Sequence, residues 1–249
     1  MVSIKRGIGY LILVLVVVIS LSGCSVKFTS NNKNGGMGRV DKKVIDLGNA
    51  KESEVQIKMA VGELTIDKST DKMMDGSFTY TKEDWKPEVG YSESGDKGII
   101  DIKSPSDMQM NNNISIGKSE YTWDLAFNKD IPMDMNIDMG VGEAKVNLQE
   151  LNMRNLYVKT GVGAVSIDIS GKYKNDVNVS IEGGIGKTTV YVPKDIGVKI
   201  KANNGIGGLK TKGFIKKNDE YVNDSYGKTQ NNIIVDVKVG IGDLEIKLK

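Results

Sequence analysis

The sequence predicts an all-β fold, a solenoid-like stack of short strands. Three observations predict it. A step of the form Val/Ile-Gly-x-apolar recurs six times, strict period-two alternation flanks that step, and no amphipathic helical pattern longer than two turns occurs after residue 24. Glycine supports the same picture: it is 29 of 249 residues, about 12% where roughly 7% is usual, and the excess includes the repeated step.

The six steps centre on Gly62, Gly142, Gly163, Gly186, Gly207 and Gly242. Gly142, Gly163, Gly186 and Gly207 are spaced by 21, 23 and 21 residues, while Gly207 to Gly242 is 35 and implies an insertion. After each glycine the apolar residues alternate, as in Val165, Ile167 and Ile169, with Ser166 and Asp168 on the other face. Before it the parity is reversed: Val237, Val239 and Ile241 lead in, and Leu244, Ile246 and Leu248 lead out. A one-residue slip normally turns every side chain to the wrong face. The glycine step therefore reads as a corner, with glycine supplying a positive φ or a tight bend. Two architectures satisfy this: coils of a β-solenoid with Gly-x at a corner, or a meander of hairpins with Gly-x as the turn. In either case a polar turn precedes a second strand, as Asn175-Asp176 precedes Val177–Ile181 and Lys194-Asp195 precedes Ile196–Ile200.

Residues 40–139 carry the same chemistry less regularly. Segments 55–59, 77–80, 98–102, 121–125 and 133–137 alternate, and Gly62 already belongs to the repeat set, so one continuous stack is expected. Residues 140–249 form the regular repeat region. Ser104–Ser119, rich in Asn, Met and Ser, is expected as an exposed loop, and 213–232 as a second excursion holding Phe214, Tyr221 and Tyr226.

The chain begins with an address. Lys5 and Arg6 precede an apolar run of about ten residues, too short to span a bilayer, and Leu21-Ser22-Gly23-Cys24 follows. This resembles the lipobox of bacterial lipoproteins, in which small residues admit a peptidase and the Cys thiol accepts diacylglycerol. The chain's single Cys occupies that position. Residues 1–23 are thus expected as a lipoprotein signal peptide and 24–39 as a flexible, Gly/Asn-rich tether. Two acyl chains would give stable anchoring to the extracytoplasmic face of a membrane. Cleavage would remove Lys5 and Arg6, taking 34 bases and 32 acids to 32 of each.

Composition excludes much chemistry. With no His and one Cys, Ser-His-Asp and Cys-His units, Cys-pair zinc sites and internal disulfides are ruled out. Balanced charge argues against a nucleic-acid partner. Gly183-Gly184-Ile185-Gly186-Lys187-Thr188 imitates the end of a phosphate loop, but Ile181 stands where the first glycine belongs and a strand pattern follows. A calcium nonapeptide would need Asp where Thr188 stands. Neither a metal nor a cofactor is expected. Acids such as Glu143, Asp168, Glu182, Asp243 and Glu245 alternate with Lys145, Lys187 and Lys247, as a solvated sheet face requires. Paired carboxylates on one face leave open a carbohydrate-active enzyme. Trp85, Trp123, Tyr91 and Tyr121 could line a sugar-binding face, although core packing is the commoner role.

The ordered Val/Ile-Gly-x-apolar steps, their 21–23 spacing and the late excursion before Gly240-Ile241-Gly242-Asp243-Leu244-Glu245-Ile246 resemble the toast-rack β domains of bacterial envelope proteins. Those domains are related to cell-wall-active-antibiotic response and adhesin β domains. The resemblance runs from about Val44 to Lys249 and implies an extracytoplasmic β-solenoid-like domain linked to envelope-stress sensing or adhesion. It supplies no catalytic residues. The expectation is a non-enzymatic, lipid-anchored scaffold, with the membrane and an envelope protein or cell-wall polymer as partners.

Overall fold

The structure, a computed structural model, describes residues 27–31, 38–106, 108 and 120–249. Among the described residues seventeen strands join one continuous sheet, and outside it lie a 3-10 turn at Glu83–Trp85 and helical residues at Ser106 and Met108. The first end is built of hairpin-like pairings. Strand β1 (Lys27–Asn31) pairs antiparallel with β2 (Arg39–Ile45), so part of the stretch expected as a free tether is held as a strand. Next come β3 (Glu52–Thr70), β4 (Met74–Tyr80), β5 (Glu88–Ser94), β6 (Lys97–Lys103) and β7 (Tyr121–Asn128). β2 pairs with β4, β4 with β7, and β5 with β6, all antiparallel. β6 and β7 then lie parallel on the two halves of β3.

From β3 onward the chain coils. β8 (Met133–Asn147) and β9 (Met153–Asp168) each run through a glycine corner unbroken. Later coils split into two arms: β10 (Val177–Ile185) with β11 (Thr188–Val192), and β12 (Gly197–Ile206) with β13 (Leu209–Lys210). The excursion contributes the hairpin β14 (Ile215–Lys217) and β15 (Glu220–Val222), and β16 (Asn232–Ile241) with β17 (Leu244–Leu248) closes the chain. Successive coils pair in parallel, with Gly62, Gly142 and Gly163 in one register. Parallel pairing of consecutive repeats selects the solenoid over the hairpin meander, because hairpin strands are antiparallel.

The coils are not stacked in chain order. β16 lies between β10 and β12, and β17 between β11 and β13. The last coil is therefore fifth and the Gly207 coil sits at the open end. Composition explains the order. Ile233, Val235 and Val237 present a continuous apolar row at 0–1% exposure, which belongs between two neighbours. Lys201-Ala202-Asn203-Asn204 is mostly polar and suits an end.

The parity change at the corner places both arms on one core. In β9, Leu156 and Val158 of the first arm and Val165 and Ile167 of the second are 0–4% exposed. Ser104, expected at the start of an exposed loop, is instead buried. It accepts hydrogen bonds from the Ala60 amide at 3.0 Å and from the Tyr121 hydroxyl at 3.3 Å. Met108 is buried too. Within the excursion Asn223 is buried and donates to the Pro193 and Ile196 carbonyls, tying 213–232 to the stack.

Candidate functional site

Each repeat glycine sits at a corner with φ between +135° and +143°, a region closed to side chains. The six form a column. A Cβ on Gly142 would lie 1.8 Å from the Gly62 carbonyl oxygen; on Gly163, 1.7 Å from that of Gly142; on Gly186, 1.8 Å from that of Gly163. Gly242 then stacks on Gly186, and Gly207 on Gly242, with the same closeness. Amides tie the rungs, the Gly186 N–H donating to the Ile241 carbonyl at 2.8 Å and the Gly242 N–H to that of Ile206 at 2.7 Å.

The residue before each glycine was expected to face the core. It does not. Val141, Val162, Ile185, Ile241 and Ile206 are 38–69% exposed, because the lead-in row ends one step earlier, at Val239, and residues 240–243 form the corner outside the core. With Val61 these side chains are in register across six strands: 61, 141, 162, 185, 241, 206. At roughly 4.8 Å per strand they make a ridge about 24 Å long, flanked on both sides by glycine at every rung but Val61, which follows Ala60. The pattern Gly-Val/Ile-Gly was a readable signal for it.

A second feature lies on the outer face of the first arms. Two rows of side chains cross β3, β8, β9, β10 and β16 in register. One row is Glu54, Asp134, Asn155, Asn178 and Ile234, and the other is Gln56, Asn136, Tyr157, Ser180 and Asp236. Between them runs a trough of about 480 Å³, floored by the backbone of Val55, Met135, Leu156 and Val179. The first wall is locked by side-chain bonds. Arg154 donates to both carboxylate oxygens of Asp134 (3.2 and 2.5 Å) and to Glu52 at 2.6 Å, while Lys97 reaches Glu54 at 3.4 Å. Asn155 donates to Asp134 at 2.7 Å, and Asn178 to Asn155 at 3.2 Å. Tyr157 donates to Glu182 at 3.2 Å. The buried Oδ1 of Asn136 has no hydrogen-bond partner among the described residues.

Glu54 and Asp134 face each other across adjacent strands. Both are committed to cations and amides. A glycosidase also needs one carboxyl raised above its usual range. Among the described residues the carboxyl groups of Asp71, Glu245 and Asp168 lie below that range. A hydrogen bond from Lys129 holds Asp71 down, and one from Lys247 holds Glu245 down. Burial pushes Asp168 up, but hydrogen bonds from Lys249 and Ser170 outweigh it. Trp85, Tyr121 and Trp123, weighed as a sugar-binding face, are 0–8% exposed in the core, where Trp85 packs edge-on to Tyr121, Phe78 edge-on to Trp123, and Tyr121 tilted against Trp123. Burial there pushes the Tyr121 hydroxyl up to about 12. Tyr91 packs against the same core and donates to Glu93 at 2.8 Å. The segment Gly183–Thr188 forms strand, corner and strand rather than the strand-to-helix turn of a phosphate loop. Leu21, Ser22, Gly23 and Cys24 lie outside the described residues.

Residues 33–191 match the family described as the N-terminal domain of toast_rack, DUF2154. The chain belongs to the toast-rack family. Residues 141–246 of this toast-rack chain also match the C-terminal part described as cell wall-active antibiotics response LiaF. A solved structure from Clostridium sporogenes ATCC 15579, described as a "putative cell adhesion protein", is 38% identical, covers 85% of this chain and 100% of its own, and superposes with a TM-score of 0.83. Protein LiaF of Bacillus subtilis (strain 168) is 26% identical over 119 residues, 43% of this chain and 47% of LiaF. The toast-rack chain thus spans about half the length of that relative. The family ties the fold to the cell envelope. No helix among the described residues is long and apolar enough to cross a membrane.

Proposed function

We propose that this toast-rack chain is a non-enzymatic, lipid-anchored envelope protein that acts by contact, in envelope-stress sensing or adhesion. Cys24 carries the lipid, residues 1–23 are removed, and the stack stands on the extracytoplasmic side. The observation that carries the contact reading is the corner ridge. A solvent corner tolerates almost any residue, yet all six rungs are β-branched aliphatics, and five are more than a third exposed. Contiguous exposed apolar surface of this kind marks interaction sites. The antibiotic-response description of the LiaF relative and the adhesion description of the C. sporogenes protein support the same reading. The glycosidase alternative is weaker, because the opposed acids of the outer face are already neutralised.

The test is made in intact cells. Cys24→Ala should release the protein from the membrane fraction or leave an unprocessed, slower-migrating precursor. A photo-crosslinking residue at Ile185 should capture an envelope partner, whereas the same residue at exposed Lys172, far from the corner, should not. Unchanged membrane retention and processing would remove the anchor, and equal capture from both positions would remove the ridge.

A further inference from the structure

We propose that the outer trough binds a neutral, hydroxyl-rich polysaccharide strand lying along the stack axis. The trough crosses five strands, so it is roughly 19 Å long at about 4.8 Å per strand. A straight trough of that length suits an extended polymer rather than a compact ligand. Its floor is sheet backbone whose N–H and C=O groups already serve the ladders, so recognition falls to the walls. Those walls repeat a carboxamide or hydroxyl at strand spacing: Gln56, Asn136, Asn155, Asn178 and Ser180. Carboxamides and hydroxyls both donate and accept, matching the vicinal hydroxyls of successive sugar units. Tyr157 stands mid-wall with its hydroxyl anchored on Glu182, which leaves its ring as a platform for the apolar face of a pyranose.

Charge decides against other polymers. No Lys or Arg lines the trough, so a phosphate-rich chain finds no counter-charge there. The three wall acids Glu54, Asp134 and Asp236 already face Lys97, Arg154 and Lys238 at 3.4, 2.5 and 4.0 Å, so a cationic ligand gains little. An extended peptide cannot add to the floor as a strand, because the floor offers no free backbone groups. This inference draws on the contact reading only in placing the chain outside the cell. The binding itself is a property of the purified protein.

The test titrates the full-length protein, in a sugar-free detergent, with cellohexaose, chitohexaose and poly-L-proline by calorimetry. At least one hexasaccharide should bind saturably, with affinity rising with chain length until the trough is filled and little altered by added salt. Tyr157→Ala and Asn178→Ala should each weaken it by about tenfold, the scale of one lost good contact. Asn178 is exposed, so its variant keeps the test readable if Tyr157→Ala does not fold. Absence of binding by both sugars, binding indifferent to Asn178→Ala, or binding of poly-L-proline alone would each overturn the assignment. None of these results touches the crosslinking outcome at Ile185.

Discussion

Replacing Gly163 by alanine adds one methyl group at the centre of the glycine column. Its Cβ would lie 1.7 Å from the Gly142 carbonyl oxygen, where ordinary contact begins near 3.4 Å, so the two rungs must part by about 1.7 Å. The backbone must also keep φ at +143°, a conformation that costs a non-glycine residue about 1–3 kcal/mol. Parting the rungs breaks or stretches at least two corner hydrogen bonds, at about 1 kcal/mol each. The sum is about 3–5 kcal/mol, or a fall in Tm on the order of 10 °C for a chain of this size. Thermal unfolding followed by far-UV circular dichroism measures it. Gly90→Ala is the control: Gly90 lies on an edge strand without positive φ, and the nearest atom to its added Cβ is 3.8 Å away. That variant should unfold within about 2 °C of the parent, since relief of glycine's chain entropy is worth under about 1 kcal/mol. If Gly163→Ala proves as stable as Gly90→Ala, the column is not a close-packed feature and the account of the corner is wrong.

Ile167→Asp should cost about 4 kcal/mol or more, because Ile167 is fully buried and would carry an unpaired charge into the core. Ser166→Asp, on the outer face opposite Lys145, should shift the urea midpoint hardly at all, and equal losses would contradict the assigned facing. Acid sensitivity should depend on Asp168. Its carboxyl lies below the ordinary range in the folded chain, so the pair with Lys249 stabilises fully above the unfolded pKa of about 3.9 and is lost as pH falls through the lower folded value. Asp168→Asn should therefore lower stability at neutral pH and flatten the loss seen on acidification; denaturant titrations between neutral and acid pH would show an unchanged slope if the reasoning fails.

The coil period, the strand faces and the glycine corners were legible because each is a local pattern. Val165 and Ile167 could be assigned inward from alternation alone. Ile241 was misread by the same rule, since alternation does not mark where the opposite wall of the core ends. The order of the last coil was illegible because the 35-residue spacing measures the length of an excursion and not its direction. The polar Lys201–Asn204 stretch was the available clue that its coil ends the stack. The trough was missed for a different reason. Its rows join residues from five strands, from Glu54 to Asp236, and exist only once the register is fixed. Aromatic content pointed instead to Trp85 and Trp123, which size and apolarity drew into the core, while Tyr157, one residue on an alternating strand, carried no distinguishing signal.

The seating of the last coil between two earlier ones has a consequence for how the molecule is made. A simple solenoid can grow vectorially, each new coil settling on the one before as the chain emerges. Here β12 and β13 have only β16 and β17 as coil neighbours, so until these strands form the Gly207 coil is held by the short pairing of β12 with the excursion strand β15 alone. Lys249 completes the join, its amide donating to the Val192 carbonyl at 2.9 Å and its side chain to Asp168 at 2.6 Å. The coil of β16 and β17 therefore acts as a keystone. A chain interrupted between β13 and β16 forfeits two coils at once and leaves β10 and β11 with open edges, which invite pairing with other chains and proteolysis.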